Sequence, residues 1–70
     1  MHYHVHTAGR LVFAEAADLI TRFGVHAVSE ARLRAGRSRA VGNVAHFCRW
    51  REVERMIGTL DAKAAEGALH

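Results

Sequence analysis

Residues 42–60 read GNVAHFCRWREVERMIGTL, and this stretch decides the fold. Glycine takes up the left-handed backbone that closes a helix, and the Asn43 side chain offers an oxygen to the first free amides of a following helix. Gly42-Asn43 therefore predicts a joint between two helices. Beyond the joint, Trp50, Val53, Ile57, Leu60 and Ala64 recur at 3-4-3-4 spacing, with Phe47 and Met56 beside the stripe. That period puts them on one helical face, so a helix is expected from Val44 to Leu60 or further.

Upstream, Val12, Phe13, Ala16, Leu19, Ile20 and Phe23 repeat at helical spacing and predict a helix over 11–23. Arg22 falls in its last turn, Gly24 is placed to close it, and Val25 is expected to fold back on that turn. Residues 25–41 favour a second helix, with small or apolar side chains at Val28, Ala31 and Ala35 among arginines. Gly36 costs about 1 kcal/mol against alanine and marks a point where this helix is expected to bend or stop. Met1 to Thr7, MHYHVHT, instead alternates residue by residue, which is strand periodicity. The expected architecture is thus all-α: a single small domain over 1–70, folded as a three-helix bundle with a short extended or strand-like N-terminal arm over 1–8. Its core is expected from Phe13, Ile20, Phe23, Phe47, Trp50, Val53, Ile57 and Leu60.

Seventy residues bound what such a core can do. A chain this short buries only about 60% of the surface its unfolded form exposes, and its core rarely supplies more than roughly 3 to 5 kcal/mol. Half the residues are apolar, but many are alanine, which adds helix propensity more than buried area. The single cysteine, Cys48, rules out an internal disulfide. That leaves oligomerisation, a larger complex, a metal or unusually good helix packing, and an assembly is the expected supplement. No apolar run approaches the roughly 20 residues that span a bilayer, and the start lacks a basic region followed by a hydrophobic stretch, so no membrane partner is expected and the chain is read as cytoplasmic.

Charge concentrates in the middle. Residues 32–55 carry Arg32, Arg34, Arg37, Arg39, Arg49, Arg51 and Arg55 against Glu52 and Glu54, a net of +5, while each flank carries −1. Arginine's planar fork suits bidentate pairing with carboxylate or phosphate, which points to an acidic protein surface or a nucleic-acid backbone. The plainer reading is that several of these arginines pair with nearby glutamates on a solvated face. Arg49, Arg51, Arg55, Arg32 and Arg39 are the candidate partner-binding residues.

The order of a helix ending in Arg22-Phe23-Gly24, an alanine- and arginine-rich helix, the Gly42-Asn43 joint and a helix reading FCRWREVERMIGTL resembles small uncharacterised helical proteins of alphaproteobacteria. The likeness covers about residues 16–60 and implies a small three-helix fold; it implies no activity.

Chemistry is sparse. His2, His4 and His6 on one strand face would suit zinc, nickel or copper, but same-face neighbours stand about 6.6 to 7 Å apart, which lets two share an ion more readily than three. His46 and Cys48, two apart on a helix, do not converge on one ion, whereas His46 and Trp50 share a face. Cys48 is expected in or near the core. The carboxylates form no catalytic pair, and no phosphate-binding glycine loop, G-x-S-x-G or H-E-x-x-H occurs. No catalytic residue and no cofactor is expected. The leading expectation is a non-enzymatic interaction module that binds a protein partner or itself. Nucleic-acid binding through Arg32 to Arg55 is the alternative, and metal binding at the N-terminal histidines a further one.

Overall fold

The structure, a computed structural model, describes the backbone of residues 2–68 and the side chains of residues 9–65. It is helical throughout, with no strand among the described residues: α1 spans His2–Phe23, a single 3-10 turn spans Gly24–His26, α2 spans Ala27–Ala40 and α3 spans Val44–Ala68. The extended arm expected over 1–8 is replaced by helix, since α1 starts at His2. The physical reason is that a strand needs a neighbour to take its hydrogen bonds, whereas a helix satisfies them within itself. The metal expectation at His2, His4 and His6 rested on that strand. Their side chains lie outside the described residues.

Each chain reversal has an identifiable cause. Gly24 sits at φ 55°, the left-handed conformation that ends α1. Val25 does not fold back on that turn; it is 93% exposed, and the chain passes through the 3-10 turn directly into α2. Gly36 neither bends nor stops α2, which is continuous to Ala40. At the second reversal Gly42 has φ 76°. Its N–H donates to the Arg39 carbonyl at 3.0 Å, and the Asn43 N–H donates to the Ser38 carbonyl at 2.8 Å. This pair of bonds is the Schellman closure, which satisfies carbonyls the end of α2 would otherwise leave open. Asn43 Oδ1 then accepts the His46 N–H at 3.1 Å and caps α3.

The core is small and rich in methyl groups. Val12, Ala16, Leu19, Ala27, Ala31, Ala35, Val53 and Ile57 are buried, and half of these are alanine. Ala27, Ala31 and Ala35 recur every four residues and form the inward seam of α2. Leu19, Val53 and Ile57 are the largest fully buried side chains, and Ile20, Phe23, Trp50 and Leu60 pack partly buried around them. Phe47 is half-buried. Phe13 is not core but 51% exposed. Val12, Ala16 and Leu19 hold the inward positions of α1, and Phe13, one residue on, is turned by about 100° from that stripe.

The chain runs up, down and up. On α2 and α3, Arg39 stacks on Phe47 beside the joint and Arg32 reaches Glu54 further away, so these helices are antiparallel. On α1 and α3, Leu11 and Val12 stand beside Ala45 and Cys48 while Glu15 meets Arg49, so these run parallel. The assembly is flat and elongated, 43 × 31 × 15 Å. Its radius of gyration is 13.0 Å, against about 11 Å for a compact chain of this length.

Candidate interaction surfaces

Most of the arginines are engaged within the chain. Arg49 Nε lies 3.0 Å from Glu15 Oε1 and ties α3 to α1, although its N–H is not aimed at that oxygen, so the contact is an ion pair without a hydrogen bond. Arg32 Nε donates to Glu54 Oε2 at 2.9 Å and ties α2 to α3. Arg51 approaches the other oxygen of Glu54 at 3.8 Å. Arg34 bonds Glu30 at 2.8 Å along α2, and Arg22 bonds Asp18 at 3.2 Å along α1.

Trp50 lies beneath two of these guanidiniums. The Arg34 and Arg49 carbons stand 5.0 and 5.6 Å from its ring centre, inside the range of cation–π attraction. The indole is half-buried, packs against the core and carries these two guanidiniums over its ring.

Of the five candidate contact arginines, Arg32, Arg49 and Arg51 therefore hold intrachain carboxylates. Arg39 and Arg55 are exposed and, like Arg37, have no carboxylate within ion-pair distance among the described residues. Arg37 and Arg39 sit in the last turn of α2, where cations offset the negative end of the helix dipole. Arg32 and Arg51 meet at Glu54 with Arg55 one helical turn on from Arg51, while Arg49 turns to Glu15 and Arg39 lies in the last turn of α2.

A different surface emerges at the start of α3. Leu11, Val12, Ala45, Cys48, Arg49 and Glu52 line an open cleft of about 190 Å³ between α1 and α3. Leu11 is 52% exposed, and Val44, four residues before Cys48 on the same helical face, is 70% exposed. Cys48 is exposed rather than near the core, because five residues on a helix turn it by about 140° from Val53. The sequence held a signal for this cleft: Leu11 and Val12 are adjacent, so one of the two had to face away from the core, and Val44 and Ala45 precede the 3-4 stripe.

Among the described residues no group of three or more histidine, cysteine, aspartate or glutamate side chains could hold a metal ion. The carboxylates of Glu15, Asp18, Glu30 and Glu54 each face an arginine, and His46 is exposed. No described helix is long and apolar enough to cross a membrane.

Compared with family models, curated proteins and solved structures, the chain matches none. The resemblance carried by Gly42-Asn43, Trp50 and the repeat after them stands on those residues alone.

Proposed function

We propose that the chain, folded as a three-helix bundle, is a non-enzymatic interaction module: a small adaptor or accessory subunit that acts by occupying a surface on a protein partner or on itself. The observation that carries this reading is its excess of surface. The chain exposes 5395 Å², whereas a compact monomer of 7.8 kDa exposes about 4,400 Å². The surplus, about 1,000 Å², accompanies the flat, elongated shape. Large apolar side chains contribute to it, with Leu11, Phe13, Val25, Leu33, Val41 and Val44 all exposed.

The reading fits a core in which alanine fills half the buried positions, since such a core leaves stability to be supplemented by association. Nucleic-acid binding would rest on Arg37, Arg39 and Arg55, without the stacking contribution of Trp50. Titrating labelled single-stranded and duplex DNA at two salt concentrations tests the choice. No binding up to high micromolar DNA agrees with the protein-interaction reading. Tight binding whose log affinity falls steeply with log salt overturns it.

A further inference from the structure

We infer that the outward row of α3 seats an acidic amphipathic helix of a protein partner, with apolar side chains of that helix at the joint end and its carboxylates on Arg51 and Arg55. This inference rests on the interaction-module reading and names the surface and the chemistry of the partner. Val44, Cys48, Arg51 and Arg55 follow one another at intervals of four, three and four residues, which sets them in a single row about 17 Å long. All four are exposed. Val53 and Ile57, each two residues on from an arginine of the row, are turned from it by about 160° and bury the opposite side of the helix.

The row changes character along its length, and that change selects the occupant. Its joint end is apolar: Val44 is 70% exposed, and Val41, three residues earlier, is 80% exposed. Its far end is cationic. Arg51 and Arg32 share the single carboxylate of Glu54, Arg51 from 3.8 Å, and Arg55 has no carboxylate within ion-pair distance among the described residues. Three guanidiniums are thus met by one carboxylate, and their planar forks suit incoming carboxylates or phosphates. The apolar end decides between the two. A phosphate backbone has no apolar side chains to lay on Val44, whereas an amphipathic helix presents apolar and acidic side chains at the same spacing of three and four. Glu52, about 60° round the helix from Arg55 and facing the α1 cleft, repels carboxylates on that side, so the acidic side chains of the partner lie toward α2.

Fluorescence anisotropy of the full chain against three labelled probes of equal charge tests this: a helix-forming peptide with leucine on one face and glutamate beside it, an oligoglutamate, and a DNA oligonucleotide. The leucine–glutamate peptide is expected to bind at least about 10-fold more tightly than either other probe, because only it adds apolar burial to charge. Arg55→Glu, at a position with no intrachain ion pair, is expected to raise the Kd of that peptide about 10-fold, and Val44→Ser about 5-fold. Arg37→Glu makes the same charge change on α2, turned about 140° round that helix from Arg32, and is expected to shift Kd by no more than about 2-fold. Circular dichroism checks that all three variants stay helical. Equal affinity for the oligoglutamate, or an equal loss in Arg37→Glu, reduces the row to bare charge and overturns the inference. A wild-type chain that binds neither peptide nor DNA also overturns it and leaves the interaction-module reading standing, whereas tightest binding to DNA overturns both.

Discussion

Arg32 on α2 and Glu54 on α3 lie 22 residues apart in sequence and meet at 2.9 Å, the arginine largely in water and the carboxylate 14% exposed. The pair is therefore unequal. Glu54 also receives Arg51 at 3.8 Å, so it is the shared counter-charge for two guanidiniums, and one of its oxygens is buried without a hydrogen bond. Removing exposed Arg32 is expected to cost no more than about 1 kcal/mol. Glu54→Ala, which takes away the common anion, is expected to cost about 1 to 3 kcal/mol. Urea titrations of the two variants check the order; equal costs would contradict the hub role of Glu54.

The glycines sort into two groups. Gly24 and Gly42 have positive φ and nothing within 4 Å of an added Cβ, so alanine there meets backbone strain and no clash. Gly24→Ala and Gly42→Ala are each expected to lower stability by about 1 to 2 kcal/mol. Gly36 and Gly58 lie inside α2 and α3, also in open space. Gly36→Ala and Gly58→Ala are each expected to raise stability by about 0.5 to 1 kcal/mol. Thermal melts of the four variants give the signs.

Asn43 acts through one acceptor. Asn43→Ala is expected to cost about 1 kcal/mol, while Asn43→Ser or Asn43→Asp keeps an oxygen for the His46 N–H and stays near wild type. Circular dichroism on chemical unfolding distinguishes them. If Asn43→Ala matches the serine variant, the cap contributes nothing.

Arginines on one helix are expected to behave differently. Arg49 holds Glu15 and covers Trp50, so Arg49→Ala loosens the α1–α3 contact and lowers stability by about 1 to 2 kcal/mol. Arg55→Ala, on open surface, is expected to stay within about 0.5 kcal/mol of wild type. Replacing Arg49, Arg51 and Arg55 together thus mixes a structural loss with a surface change. Single variants, unfolded separately, resolve the two.

Core substitutions should follow volume. Ile57→Ala is expected to cost about 2 to 5 kcal/mol, which is most of what so small a core supplies. Ala31→Leu, at a fully buried seam position, is expected to cost about 1 to 3 kcal/mol through overpacking. Loss of the cooperative melt in Ile57→Ala checks the first.

Local chemistry made parts of this fold readable. Gly42-Asn43 announces its joint because both residues act on backbone within a few positions, and the α3 stripe is readable because its side chains are large. Other features depend on tertiary register. The Arg32–Glu54 and Glu15–Arg49 ties join distant positions, and nothing local marks them apart from Arg55, which is left in solvent. Phe13 misled because it neighbours the true inward residue, Val12. The start of α1 misled because six alternating residues imitate a strand that has no partner strand to pair with. The cleft was hidden for a related reason: small residues such as Ala45 carry little pattern, although they decide where another surface can approach.

The alanine seam of α2 also bears on heat. Melting a helix that buries Ala27, Ala31 and Ala35 releases only methyl-sized apolar surface to water, so the heat-capacity step on unfolding is small for the chain length. A small step flattens the curve of stability against temperature. For such a chain stability changes little with modest warming or cooling, and any partner that bound only the folded form would add to it by mass action.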